Sequence, residues 1–143
     1  MAEFNVGRDW TVDIFDPLLG GVQSFSIMTG FSKSQNSTRI QSTAIDGTTR
    51  IRDLRLTWEG TCTFDRRNAA LDNYFAAREE ADRNGQDLPP CSITETIRED
   101  GGGISQFRYI GVAMTLAQGG DARGDSKIEM TVNWIATGRL KVI

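Results

Sequence analysis

Histidine is absent from this chain of 143 residues. That excludes a Ser-His-Asp triad, a Cys-His pair and any histidine-ligated metal supplied by the chain itself. Cysteine is scarce: Cys62 and Cys91 form no C-x-x-C pair and offer too few thiolates for a structural zinc site. Cys62 falls on the apolar side of a strand beside Phe64, so a buried free thiol is expected, in keeping with a reducing cytoplasm; a Cys62–Cys91 disulfide is the alternative. No apolar run approaches the ~18 residues of a membrane span, and the opening Met-Ala-Glu-Phe has no signal-peptide pattern, so neither insertion nor export is expected.

Lysine is also rare. Of 16 basic residues, 13 are arginine and only Lys33, Lys127 and Lys141 are lysine. Arginine is favoured at protein–protein interfaces, where its planar fork pairs with carboxylates and carbonyls; a GC-rich genome gives the same bias without physical cause. Asp and Glu number 19, so the net charge is -3, too acidic for a nucleic-acid binder held by a basic groove. A mass of 15.8 kDa corresponds to one domain, residues 1–143. A compact protein of this mass exposes about 7,300 Å² and needs no metal or disulfide staple.

No constellation suggests catalysis, and no cofactor is expected. Gly101–Gly103 and Gly119-Gly120 lack the strand–turn–helix context of a phosphate cradle. The acidic stretch 121–125 lacks the ligand set of a calcium loop, its Arg123-Gly124-Asp125 tripeptide reads as chance, and Glu79, Glu80 and Asp82 read as a solvated helix face.

Along the chain the pattern is mostly extended. Residues 1–9 read as a polar arm, and Trp10, Val12 and Ile14 mark a short strand ending at Asp16-Pro17. Residues 22–31 are extended, with Phe25 and Ile27 on one face and Ser24, Ser26 and Met28 on the other. Residues 32–38 are polar and turn-prone. Arg39–Ile45 is a strand, Asp46-Gly47 a hairpin dipeptide. The return strand alternates strictly: Leu54, Leu56, Trp58, Gly60, Cys62 and Phe64 oppose Arg55, Thr57, Glu59, Thr61 and Thr63. A helix is expected over 66–84, with Asp65 as N-cap and Asn84-Gly85 as stop, followed by an extended Pro89-Pro90 link. Ser92–Ile97 is a strand. Ile104–Leu116 follows, with Ile110, Val112, Met114 and Leu116 on one face. Then come Ile128–Trp134 and a tail at 138–143. The fold class is mainly β (α+β): two packed antiparallel sheets as a sandwich or half-barrel, one flanking helix, and a long projecting hairpin over 39–55.

The hairpin follows from a length. A strand over Arg50–Phe64 spans about 50 Å at ~3.3 Å per residue. A compact domain of this size is only about 37 Å across. The strand either bends, with Gly60 able to host a bulge, or projects and packs on another subunit. A broken strand with a disordered loop at 42–52 is the alternative.

The ordered set of elements resembles the tail tube proteins of contractile-tailed bacteriophages, related to inner-tube proteins of contractile injection systems. A polar hairpin precedes Trp58-Glu-Gly-Thr-Cys-Thr-Phe64, which resembles that family's Gly-Thr-x-Thr-Phe strand end. One amphipathic helix follows, then a strand after a proline link, the Tyr-containing Phe107-Arg-Tyr109-Ile-Gly-Val112, and a final strand with Glu129 and Trp134. The resemblance implies hexameric rings stacked into a tube, with strands of each subunit lining a lumen through which DNA passes. It implies a hairpin reaching the next ring and a helix facing the sheath. The implied partners are further copies of the chain, a tail sheath protein, a baseplate or tube initiator and a tape measure protein, and the implied location is the virion tail, with assembly in the host cytoplasm. Carried onto this chain, the inter-subunit candidates are Arg39, Asp46, Arg50, Arg52, Asp53 and Arg55, and the lumen candidates are Thr57, Glu59, Thr61, Thr63, Glu129, Thr131 and Asn133.

Three alternatives stand beside it: another tail ring component such as a terminator or baseplate protein, a type VI-like secreted tube, and a monomeric β-sandwich that binds a sugar through Trp10, Trp58 or Trp134. All three tryptophans lie on apolar strand faces, which favours core packing over sugar stacking.

Overall fold

A computed structural model describes residues 4–18, 20–23, 27–67 and 69–143. After a 3₁₀ turn at Gly7–Asp9 come β1 (Trp10–Asp16), β2 (Gly21–Gln23), β3 (Ile27–Thr43), β4 (Thr49–Asp65), α1 (Ala70–Arg83), β5 (Cys91–Arg98), β6 (Ile104–Gln118), β7 (Glu129–Ala136) and β8 (Gly138–Lys141). All pairings are antiparallel. The order is β2-β1-β5-β6-β7-β4-β3, with β8 on β6, so among the described residues β2, β3 and β8 are edge strands. The expected pair of packed sheets is therefore continuous through β6. Its first half pairs with β5 and β8, and its second half pairs with β7.

The change of partner occurs at Gly111, whose φ is +62°. Between Cys91↔Val112 and Ile93↔Tyr109, β6 carries one residue more than β5, a bulge that bends and twists the strand. A side chain at Gly111 would collide with Thr137, whose N–H and hydroxyl both donate to the Ile110 carbonyl at 2.9 and 3.0 Å. The bulge also inverts the alternation. Val112 is buried with Met114 and Leu116 packed on the core, but Ile110 is turned to solvent and Tyr109 is buried instead.

The core comprises Ile14, Phe64, Leu71, Ile93, Tyr109, Val112, Met130, Val132 and Trp134 with both cysteines. Cys62 and Cys91 are free and buried, and burial pushes the Cys62 thiol up to about 12. Across the fold, Phe31 of β3 stacks on Trp134 at 5.5 Å and Tyr109 meets Trp134 at 4.9 Å. Met28 packs on this core rather than with the polar face expected for it, because a one-residue shift separates it from Gly30 in the β3–β4 register. The expectations for Ser24, Phe25 and Ser26 lie outside the described residues.

Other boundaries differ for local reasons. The polar run 32–38 is strand, because β4 pairs with all of it except Asn36, which lies at a register shift. The helix begins at Ala70, not at residue 66, and Ala69 gives no side-chain cap. Asp65 still pairs with Glu129, and the Arg66 N–H donates to the Ile128 carbonyl at 2.8 Å, which keeps the chain extended past the expected start. Gly85, at φ +76°, ends the helix as expected. The segment expected as a tail forms β8, and its Arg139 guanidinium lies between the rings of Trp58 at 4.1 Å and Phe107 at 4.4 Å.

Two carboxylates with no exposure hold the layers together. Glu95 on β5 accepts from Lys33 Nζ at 2.6 and 2.7 Å, from Trp10 Nε1 at 2.9 Å and from Tyr109 Oη at 3.4 Å. This ties β3 across the core to β5 and β1. Asp16 at the end of β1 accepts from Tyr74 Oη at 2.6 Å, from the Leu18 N–H at 2.8 Å and from Arg78 Nη1, which docks α1. Burial alone would raise the Asp16 carboxyl, but the bonds from Tyr74, Arg78 and Leu18 outweigh it and hold it below its ordinary value.

Two predictions follow from this packing. A side chain at Gly60 would run into the Ser32 carbonyl of the paired strand. Gly60→Ala should therefore cost more than about 3 kcal/mol, since backbone cannot move aside as a side-chain tip can; a urea titration with an unchanged midpoint would refute this. For Asp16, the folded-state value lies below the ordinary 3.8, so its contribution is complete above that pH and is lost as pH falls through the folded value. Asp16→Asn should cost about 3–5 kcal/mol at neutral pH. It should also flatten the acid limb of stability against pH below about 4, measured by urea unfolding at a series of pH values.

Candidate assembly surfaces

The hairpin begins where β4 loses its second neighbour. Toward the tip, β7 reaches only as far as Trp58, paired with Ala136. Beyond that point β3 is the strand paired with β4. Each strand has 17 residues, so β4 spans about 55 Å at ~3.3 Å per residue. The free ribbon from Ser37↔Arg55 to Thr43↔Thr49 is about 23 Å of that. The total exposed area is 9614 Å², well above the area expected of a compact chain of this mass. The alternative of a broken strand with a disordered 42–52 loop is thereby overturned. The irregularity lies between Trp58 and Arg55, where three steps of β4 face two of β3, and not at Gly60. It interrupts the strict alternation, so Leu56 is exposed and Leu54 half-buried instead of continuing the buried row.

The expected contact residues all lie on this ribbon. Arg39 Nε donates to Asp53 Oδ1 at 2.9 Å across the strands, both side chains exposed, so this pair is satisfied within the hairpin. Asp46 sits in the turn and accepts from the Thr48 N–H at 2.9 Å, a bond that holds its carboxyl below the ordinary range. Gly47 takes φ +90° in that turn, a conformation that favours glycine. Arg50, Arg52 and Arg55 are exposed and have no ion-pair partner among the described residues. Cross-strand pairing places Ile40 with Arg52, Ser42 with Arg50 and Thr38 with Leu54 on one face; Arg39 with Asp53, Gln41 with Ile51 and Ser37 with Arg55 share the other.

The expected lumen residues also come together. In the β6–β7–β4–β3 part of the sheet the rows run Ser32–Thr61–Asn133–Thr115, Ser34–Glu59–Ile135–Ala113 and Gly30–Thr63–Thr131–Gln118, with Glu129 beside Asp65 at the end. All these positions lie on the side away from Cys62, Phe64, Val132 and Trp134. Ser32 and Thr61 hydroxyls bond at 2.8 Å, and Asn36 Nδ2 donates to Thr57 Oγ1 at 3.0 Å. Glu59 and Asn133 are exposed; Thr57, Thr61, Thr63 and Thr131 are half-buried. Glu129 lies 3.5 Å from Lys127, which also meets Asp65 at 3.4 Å; these carboxylates, Asp65 first, hold the ammonium above its ordinary value.

Sequence reasoning missed Ser32, Ser34, Ala113, Thr115, Gln118 and Ile135 on this face, because membership depends on cross-strand register. It also missed both buried carboxylates. Their signal was present: Glu95 shares parity with Cys91, Ile93 and Ile97, and Asp16 with Val12 and Ile14. Of the tryptophans, Trp134 is stacked by Phe31 and Trp58 by Arg139, while Trp10 donates to Glu95. Among the described residues no group of three potential metal ligands converges, and no helix is long and apolar enough to cross a membrane.

No sequence-family model matches the chain, and no curated protein matches it by sequence. Solved structures do match. A chain of the anti-feeding prophage cap, the AFP tube terminating cap, superposes with a TM-score of 0.68 at 11% identity over 99% of this chain and 93% of that one. A chain of the extended PVC sheath/tube terminator, from an extracellular contractile injection system, gives 0.64 at 12% over 100% of both. A chain of the tail of an empty GTA particle, refined with C6 symmetry, gives 0.58 at 11% over 98% and 100%. The chain thus has, over nearly its whole length, the mainly β fold with one flanking helix found in tail, tube, cap and terminator structures of contractile injection systems and related particles.

Proposed function

We propose that the chain is a non-enzymatic subunit of a tail tube, assembling into hexameric rings that stack around a DNA conduit within a contractile phage-like tail. The observation that carries this reading is the ribbon of exposed, arginine-bearing strand that no other strand among the described residues covers. A two-stranded ribbon is marginal alone in water and gains its stability from a neighbour. The C6 symmetry named for the matched GTA tail supports the ring.

The polar face of β6–β7–β4–β3 is the proposed lumen wall. The charged strand residues on it, Glu59, Asp65 and Glu129, are acidic, and its other members are mostly small hydroxyl and amide side chains. Six copies at -3 each give about -18 per ring, which repels phosphate instead of trapping it. Arg50, Arg52 and Arg55 are the proposed contacts to the neighbouring ring. Asp46 and the Arg39–Asp53 pair shape the ribbon that presents them. Sheath, initiator and tape measure proteins are the proposed partners, and the virion tail the proposed location.

A terminator or cap role is the second reading. It is favoured by the full mutual coverage with the PVC terminator and the TM-score of 0.68 with the AFP cap structure. Electron micrographs of the purified protein separate the two: open-ended tubes support the first, single closed rings the second. Arg50→Glu with Arg52→Glu should give a folded monomer by circular dichroism that forms no tubes; tubes of normal length and yield from that variant would sink the proposed role of these arginines.

A further inference from the structure

We infer that the groove between α1, the proline link and the second half of β6 receives the hairpin tip of a second copy of this chain. The inference rests on the self-assembly reading above and names the surface that accepts the ribbon. The groove encloses about 780 Å³. Its walls are mostly apolar (Phe75, Leu88, Pro89, Met114 and Leu116); Arg78 also lines it but is held by the buried Asp16, and Glu79 and Asp82 line its helix side. Asp82 is exposed and its carboxylate has no ion-pair partner among the described residues, whereas Glu79 is held by Arg83 at 2.7 Å.

The hairpin tip is the complement of that surface. One face carries Ile40 and Leu54 beside Arg50 and Arg52, and Ile45 stands fully exposed at the turn. Residues 37–56 hold four arginines and two aspartates, a net +2 on a chain of net -3. Residues 70–90, the helix and its link, hold five acidic and two basic residues, a net -3. No hydrogen bond or ion pair joins hairpin residues 37–55 to α1 within one chain among the described residues. Apolar side chains would enter the groove, and the guanidinium forks of Arg50 and Arg52 would close over its rim on Asp82 and Glu79. Unlike a solvated helix face, this rim combines a free carboxylate with an apolar floor, and the tip combines free cations with apolar side chains of matching exposure.

The test is a charge swap read by sedimentation and negative-stain microscopy, with a cross-link as an independent readout. Glu79→Arg with Asp82→Arg should lower sedimentable assembly at least tenfold while circular dichroism stays native. Combining it with Arg50→Glu and Arg52→Glu should restore assembly. Arg52→Cys with Asp82→Cys should give an intermolecular disulfide under mild oxidation, against a quiet background because Cys62 and Cys91 are buried. Wild-type-like assembly of the groove variant overturns the inference and leaves the tube reading standing. Loss of assembly without rescue by the swap, together with no cross-link, overturns it as well. If the wild-type protein forms neither rings nor tubes, the tube reading itself fails, and absence of the cross-linked dimer in concentrated solution then overturns the docking as well.

Discussion

The reach of the hairpin depends on a carboxylate that water never touches. Glu95 is fully buried on β5, and an ion in that position is tolerable only if its oxygens are occupied. Lys33, Trp10 and Tyr109 occupy them, from β3, β1 and β6 in turn. Among the described residues the sheet does not close by backbone bonds. Side chains close it instead, with Lys33–Glu95 as the clasp and the Phe31–Trp134 stack behind it. A strand held at its inner end in this way can leave the domain without peeling back. On the other strand, Trp58 does the same by lying against the Arg139 guanidinium.

Much of this was legible from alternation alone. The inward row from the half-buried Trp58 to the buried Cys62 and Phe64, and the row Met130, Val132, Trp134 and Ala136, are what period two requires, and they fix which residues face away from the core. The expected contact and lumen residues each fall together for that reason. What could not be read was set by single residues that break the period. Gly111 inverts β6 and exposes Ile110; the register step beside Leu56 ends the apolar row of β4. The run 32–38 has turn composition and is strand because β4, its partner across the hairpin, is strand. The helix start moved because a backbone bond from Arg66 to Ile128 outlasts the capping signal at Asp65.

The arginine excess has several physical uses. Arg78 lies against the buried Asp16, and Arg139 is sandwiched between two rings. Arg66, Arg83 and Arg123 pair with nearby carboxylates on the surface, where such pairs add little to stability. Among the described residues the hairpin gathers Arg50, Arg52 and Arg55, without ion-pair partners, onto one projecting element. The chain therefore has mild acidity on average and a marked separation of charge within.

The outer edge of β3 has a kinetic consequence. It presents a row of unpaired backbone donors and acceptors along a strand of 17 residues, with bulges at only two places to blunt it. Such an edge recruits other strands without regard to their sequence. In the proposed assembly, a pool of free subunits would be in a race between ordered addition and indiscriminate stacking. Low free-subunit levels and a preformed end to grow from would be the conditions under which the ordered route wins.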